Sequence, residues 1–403
     1  MDYQISNKAK LWTTTFVVVG LLLTGVGVAV ALGDGHVPRR FMSNLLSNSI
    51  FFFTVTMSAL FFLAVQHAAE VGWSAYIKRP IEALTGFVPV GIAFMLVTYL
   101  ALTFMNGAHI YVWMDPEVVK PGGAHYDAHA AGRSARYLNL PFFWIRLVIF
   151  LGVYYVMWKG FIKRSLMQDQ QPELALDIHY KNFRRSALFL LVFAFFSMMS
   201  SWDWLLSIDI HWHSTLFGWY VFAGGWVTVM VMLILLLLYL KKLGYLPKLN
   251  DSHIHDVGTW IFALSFLWSY LWFSQFMLIW YANIPEEAAY FINRIENFKL
   301  LYFGMFAINF LFPMLILMSR DSKRHAGALV FVGIIIIIGH WLDTWIMVSG
   351  GAMGPLAKIG FMEIGMAIFF LGLFARVTLM RLASAPIVAL NHPFMDESLH
   401  HEI

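Results

Sequence analysis

Ionisable side chains stand inside long apolar segments of this sequence, where they could hold or pass a proton. Burying such a group in hydrocarbon costs at least roughly 2.5–3.5 kcal/mol, so it is a functional candidate by default. Histidine, aspartate and glutamate can each bind and release a proton, and histidine does so near neutral pH. The pattern therefore predicts a polar proton pathway through these candidate residues: His340, Asp343, Glu363, Asp203 and Arg146.

The candidates are expected at different depths. His340 and Asp343 share one helix face at i and i+3, about 14 and 9 Å from the outer end of their segment. Glu363 is expected about 10 Å below the outer end of the last segment and Arg146 about 9 Å below that of the fourth. Asp203 is expected only about 6 Å deep, near the lipid headgroups. Most intramembrane charges are thus predicted in the outer half of the membrane.

A structural interpretation stands beside the functional one, because an Arg–carboxylate pair or helix-to-helix hydrogen bonds could lock the helices together. For His340, Asp343 and Glu363 the two interpretations stay open. For Asp203 the structural interpretation is favoured, since a charge at the interface costs little. Arg146 is expected to be a structural counter-ion.

A quinol site is a further interpretation of the same carboxylates. Asp203 or Asp343 could accept a quinol proton inside an aromatic-lined helix bundle. Gln275, on another apolar segment at a depth comparable to Asp343, completes this candidate set.

Redox cofactors bound by this chain are not predicted. The sequence has no cysteine, which excludes cysteine-ligated iron–sulfur clusters and covalently attached c-type haem. A bis-histidine haem needs two histidines at matching depth, and His67 and His340 are expected at different depths. His211 and His213 fall in a short loop. We therefore predict no metal site.

Long apolar segments must position the candidate residues. Sixty per cent of residues are apolar and only 12% are charged, about half the charge of a soluble domain. Residues 1–403 are expected to form one integral membrane domain, an all-α polytopic fold with about ten transmembrane helices. We place the spans at about 11–33, 45–69, 84–108, 140–162, 185–207, 214–240, 256–281, 297–319, 326–349 and 356–382. The first is too long for a signal-peptide core and is taken as a retained span.

Loop charge predicts the orientation. Of the 27 Lys and Arg residues, 17 fall on the side of the termini and 8 on the opposite side, while Arg146 and Arg376 lie inside spans. The positive-inside rule then places both termini in the cytoplasm, as expected for a bacterial inner-membrane protein. Residues 383–403 are predicted to be a cytoplasmic tail. Its histidines could bind a metal, but a mobile polar tail is favoured: His392, His400 and His401.

Two sequence strings carry a family resemblance. SWDWLLSIDIHWHSTLFG occupies positions 201–218, and WFSQFMLIWYANIPEE occupies positions 272–287. Together they resemble the F subunit of bacterial alternative complex III, a quinol:electron-acceptor oxidoreductase, which is related to the membrane subunits of polysulfide reductase. The number of spans and the order of the motifs extend the resemblance over essentially the whole chain.

The resemblance implies an architecture and a set of partners. Spans 2–5 and 6–9 would form two four-helix bundles, with spans 1 and 10 outside them. The partners would be a homologous ten-span membrane subunit, multihaem and monohaem cytochromes c and an iron–sulfur subunit. A terminal oxidase could be a further partner. Haem c and iron–sulfur clusters would lie in those partners. The one small molecule that this chain itself could bind would be a quinol, either menaquinol or ubiquinol. The sequence has no basic face that carries base-stacking aromatics, so nucleic-acid binding is not predicted.

Three functional hypotheses follow. The leading one is a non-redox membrane subunit of alternative complex III that scaffolds the complex and conducts protons coupled to quinol oxidation in a neighbouring subunit. The second is a quinol-binding subunit with its own quinol site. The third, more remote, is a secondary transporter, although the sequence shows no Gly/Pro-interrupted pair of spans in matching positions.

Overall fold

The computed structural model describes residues 3–105 and 109–402 and shows helices, with no β-strand in those ranges. Ten helical segments are long and apolar enough to cross a membrane. The prediction of an all-α polytopic membrane protein is confirmed.

Eight of the ten spans are longer than the apolar blocks of the sequence, and spans 6 and 10 are shorter. Span 5 was predicted over 185–207 and runs from 172 to 208, because helical hydrogen bonding continues into polar residues beyond the hydrocarbon-compatible core. The end of the predicted third span, at 106–108, lies outside the described residues. Spans 1 to 10 are, in order: Asn7–Ala31, Val37–Ala68, Ala75–Phe104, Leu140–Gln170, Pro172–Ile208, Phe217–Lys242, Asp251–Ala282, Pro285–Ile316, Ala326–Leu356 and Phe361–Leu382.

Several spans are interrupted. Span 3 consists of a 3-10 turn followed by the α-helices Lys78–Thr85 and Val88–Phe104. Span 8 contains a π-helix at Ala307–Leu311, followed by a short α-helix, Phe312–Ile316, that has Pro313 as its second residue. A proline inside a helix removes one backbone hydrogen bond, and π-turns of this kind occur frequently at functional sites.

The spans form two four-helix bundles, as predicted. Spans 2, 3, 4 and 5 contact one another in a ring, and so do spans 6, 7, 8 and 9; spans 2, 5, 6 and 9 join the two rings. Spans 2 and 6 are the central helices, because 83% and 72% of their most apolar stretches are buried. We call spans 2–5 bundle one and spans 6–9 bundle two.

Spans 1 and 10 pack against each other outside the bundles. Their contact is close at glycines: a Cβ on Gly20 would lie 2.4 Å from the backbone nitrogen of Phe369, and one on Gly27 would lie 2.3 Å from that of Met362. Residue numbers of the contacting positions rise along span 1 while they fall along span 10, so the two helices are antiparallel. Small residues that let two backbones approach are a common basis of helix association in membranes.

Both ends of the described chain lie on one face of the bundles, which we call the terminal face. The Tyr3 hydroxyl lies 3.4 Å from that of Tyr239, and Asn250 donates a hydrogen bond to the backbone oxygen of His401 at 2.6 Å. The tail was expected to be mobile, but it packs on this face, where Ser398 is fully buried. We call the opposite end of the molecule the distal face. It carries the loop with the short helices Pro116–Val119 and Ala128–Arg136.

Candidate functional site

A buried carboxylate in bundle two is the centre of the candidate site. Span 9 brings His340 and Asp343 to the interior, where they are 2% and 5% exposed. Asp343 accepts a hydrogen bond of 2.5 Å from the Tyr220 hydroxyl on span 6. The His340 ring stands perpendicular to that of Trp268, with centroids 5.1 Å apart. No arginine or lysine is paired with Asp343 among the described residues, so this carboxylate differs from the other buried ones.

His340 has two ring nitrogens that are buried and have no hydrogen-bond partner among the described residues. A buried polar atom without a partner costs about 1–3 kcal/mol, and ordered water normally removes that cost. Gly224 of span 6 leaves space beside the ring, since a Cβ there would lie 3.3 Å from Nδ1.

Two small cavities continue from this site into bundle one. The first, of about 20 Å³, is lined by His340, Asp343 and Thr54 together with apolar neighbours. The second, of about 30 Å³, shares Thr54 with it and is lined by four serines: Ser58, Ser197, Ser200 and Ser201. A cavity of this kind needs about 10–15 Å³ to hold one water. The two cavities could therefore hold a short file of water molecules between the bundles.

Asn309 is a buried polar residue that sequence reasoning missed. It is 0% exposed, both amide atoms lack a hydrogen-bond partner in the described structure, and its Oδ1 occupies the space where Gly339 would carry a Cβ. The π-helix of span 8 sets its position. A single amide in the apolar run 301–317 is a signal that the sequence does contain.

Asp203 and Arg146 form a buried ion pair in bundle one. Arg146 Nε donates to one Asp203 oxygen at 2.6 Å and Nη2 donates to the other at 3.0 Å. Arg146 also donates to the backbone oxygen of Tyr137 and lies 3.9 Å over its ring. Burial, with the nearby Asp203 charge, raises the pKa of Tyr137 to about 12, so its hydroxyl stays protonated. The geometry is that of a structural counter-ion pair.

Glu363 lies at a helix start, and the predicted depth of about 10 Å is wrong. Span 10 begins at Phe361, because the backbone of the preceding residue, Gly360, is extended. Glu363 accepts from Gly360 N–H at 2.8 Å, which caps the helix. It also accepts two hydrogen bonds from Arg40 and one from Asn44, each 2.7 Å long.

Gln275 is separate from the carboxylates. It accepts from the Ser214 hydroxyl at 3.1 Å and donates to the backbone oxygen of Leu271 at 3.4 Å. The structure thus brings His340 together with Asp343 and Asp203 together with Arg146. It places Glu363 and Gln275 in hydrogen-bond networks of their own.

Arg294 was assigned to a loop by the sequence and is instead fully buried in span 8. It donates to both oxygens of Asp209 at 3.2 and 2.7 Å and to the backbone oxygens of Tyr290 and Met347. The Asp209 side chain is 18% exposed. This pair therefore connects the interior of bundle two to the distal face.

A second set of missed charges lies toward the terminal face in bundle one. Arg79 donates to Glu82 at 2.6 Å and also pairs with Asp169. Ser165 donates to Glu82 at 2.5 Å, and Lys78 lies 3.8 Å from the same carboxylate. The prediction that intramembrane charges are mostly in the outer half is wrong, because the third span begins nine residues earlier than expected, at Ala75, and includes Lys78, Arg79 and Glu82.

Comparison with known proteins adds no assignment: no family model and no curated protein matches the chain.

Proposed function

We propose that this chain is a membrane subunit, without redox chemistry of its own, of a quinol-oxidising complex similar to alternative complex III, and that it conducts protons through bundle two. The observation that carries the proton role is the Asp343–Tyr220 hydrogen bond beside a water-sized cavity. The complex membership is supported by the two sequence strings at 201–218 and 272–287.

Asp343 is the group that exchanges the proton. A protonated water in the adjoining cavity gives its proton to the ionised carboxylate and becomes neutral water. The neutral acid later gives the proton to another neutral water, which carries it onward as a protonated water. Tyr220 holds the ionised carboxylate by its hydroxyl hydrogen bond. The unpartnered nitrogens of His340, which lines the same cavity as Asp343, offer hydrogen bonds to water beside the carboxylate.

The path crosses toward bundle one at Thr54. The hydroxyl groups lining the second cavity can orient water by donating or accepting hydrogen bonds. The Arg146–Asp203 and Arg294–Asp209 pairs flank the path as fixed charges and hold the helices around it. In the orientation we propose, with the terminal face in the cytoplasm of a bacterium, these two pairs lie on the periplasmic side.

A pull-down of the full chain from its native membrane tests the complex membership. We expect the chain, carrying a small tag, to co-purify with c-type cytochromes that show reduced-minus-oxidised haem absorption, with an iron–sulfur protein and with a second ten-span subunit. A chain that purifies alone, stays folded and transports a solute in vesicles would instead support the secondary transporter.

A quinol site is the second candidate function, favoured by a different cavity. The two small cavities near Asp343 measure about 20 and 30 Å³ and have room only for water, whereas ligand pockets usually measure about 300–1,000 Å³. A cavity of about 530 Å³ lies near the terminal face, lined mainly by apolar residues of spans 1, 6 and 10 and by Lys8 and Lys242. A photoreactive quinone should label peptides from these spans if quinol binds there. Labelling confined to other subunits would remove this candidate.

A further inference from the structure

Three buried histidines meet toward the terminal face of bundle one. They are His67 at the end of span 2, His179 near the start of span 5 and His392 in the tail, and they are 5%, 3% and 9% exposed. One ring nitrogen of each lies within 4.8 Å of those of the other two. Three imidazoles from three separate segments of the chain are a donor set that first-row transition metals prefer.

Hydrogen bonds of the two residues before His392 anchor the tail. Leu390 N–H donates to Asp169 Oδ1 at 3.0 Å, and the Asn391 side chain donates to the backbone oxygens of Gln168 and Asp169, each at 3.1 Å. His392 therefore has a fixed position, unlike the exposed His400 further along the tail, whose side chain is 78% exposed.

A carboxylate orients the second histidine. His179 Nε2 lies 3.2 Å from Glu70 Oε1, while its Nδ1 is buried and has no hydrogen-bond partner in the described structure. When Nε2 carries the proton, it donates a hydrogen bond to the Glu70 carboxylate, and the lone pair of Nδ1 is free to bind a metal. Histidines that bind metals usually donate their other N–H to a carboxylate or a carbonyl in this way.

Glu70 itself has an unusual backbone. Its φ is +49°, a left-handed conformation that is uncommon for a residue other than glycine. It lies two residues beyond the end of span 2 and three residues after His67, in a turn closed by a hydrogen bond from Val71 N–H to Gln66 O at 3.1 Å. The turn places the carboxylate against His179.

Apolar rings surround the cluster. The His67 ring stacks on Phe161 with centroids 6.1 Å apart, and the His179 ring meets Phe394 edge-on at 5.2 Å. Such a shell limits access of water to a bound ion.

Two features oppose a cation here. The first is positive charge, since Lys78 and Arg164 lie near His67. Lys78 Nζ is 3.8 Å from the Glu82 carboxylate, which partly balances its charge, and Arg164 Nε donates to Asn182 at 2.6 Å. His392 Nδ1 accepts a long hydrogen bond of 3.3 Å from Phe394 N–H. Metal binding would replace that contact, since a metal-bound neutral imidazole has no second lone pair.

We propose that His67, His179 and His392 bind a divalent transition-metal ion, with Zn²⁺ the best match, and that the ion fastens the C-terminal tail to bundle one. A tetrahedral Zn²⁺ with Zn–N distances of about 2.0–2.1 Å places its nitrogen ligands roughly 3.4 Å apart. Binding would require side-chain rotations that bring the three nitrogens, which lie within 4.8 Å of one another, closer together. Glu70 is the positioning residue, and a water takes the fourth position.

Metal content of the full chain tests the site. The protein, carrying a tag without histidine, is stripped with a chelator, incubated with equimolar Zn²⁺ and dialysed. Inductively coupled plasma mass spectrometry then measures zinc per chain. We expect one zinc per chain in the unmodified protein and in the matched control His400→Ala, and loss of most of it in His392→Ala.

Two further measurements keep the test independent of a folding defect. Co²⁺ added to the unmodified stripped protein should give the intense visible absorption of a tetrahedral site. Glu70→Gln changes only a partly exposed side chain and should weaken zinc binding about 10–100-fold. Zinc retained equally by His392→Ala, or no zinc and no Co²⁺ spectrum with the unmodified protein, would overturn the proposal and leave three packed histidines without a metal.

Discussion

Replacing Asp203 by asparagine should destabilise the protein because it leaves Arg146 as a buried unpaired charge. The two side chains are 1% and 5% exposed, so water cannot take the place of the lost carboxylate. Removing one partner of a buried ion pair costs about 3–5 kcal/mol. At roughly 2 °C per kcal/mol for a chain of this size, the Tm should fall by about 6–10 °C.

The assay is thermal unfolding of the detergent-purified protein followed by tryptophan fluorescence, with a double variant as the comparison. Arg146→Met combined with Asp203→Leu removes both charges, and replacing a buried pair by apolar residues is often neutral. The double variant should therefore recover most of the stability lost in Asp203→Asn. An unchanged Tm in the single variant, or an equal loss in the double one, would refute the structural role of this pair.

Three further changes test other parts of the structure. Asn309→Leu removes two unpartnered buried amide atoms, whose burial costs about 1–3 kcal/mol, so we expect a higher Tm in thermal unfolding of the purified protein. Gly27→Leu would overlap the backbone of Met362 and should separate spans 1 and 10. Cysteines introduced on those two helices should then no longer crosslink to each other. Glu363→Ala removes hydrogen bonds to a charged group worth about 1.5–3 kcal/mol each and should lower the Tm, whereas Glu363→Gln, which keeps the helix cap, should lower it less.

The sequence was sufficient for the ten spans because hydrophobicity in long blocks depends only on composition. The helix ends were not predictable to the same degree. Helical hydrogen bonds continue into polar residues, so Arg294 and Lys78, assigned to loops, lie buried inside spans 8 and 3. Glu363 shows the reverse error: the tenth span starts later than its apolar block, and the residue caps the helix instead of lying deep within it.

The candidate site was predictable in part. The i, i+3 spacing put His340 and Asp343 on one face, and both are buried. Their surroundings were not predictable, because Tyr220 and Gly224 come from span 6, more than a hundred residues away in the chain. No periodicity in one span encodes which residues of another span it contacts.

The histidine cluster shows the same limitation. Each of its members, taken alone, is expected at a helix end or in a tail. Only the packing of the tail against spans 2 and 5 brings His392 within reach of His67 and His179.

Proton movement by the Asp343→Asn variant tests the proposed function most directly. The complete complex would be reconstituted in vesicles with a pH-sensitive dye, and protons moved per quinol oxidised would be compared with Asp396→Asn, whose side chain is 92% exposed in the tail. We expect the Asp343 variant to oxidise quinol while the proton signal assigned to this subunit is lost, and the Asp396 variant to behave as the unmodified complex. An Asp343→Asn complex that moves the full number of protons per quinol would contradict a proton path through bundle two.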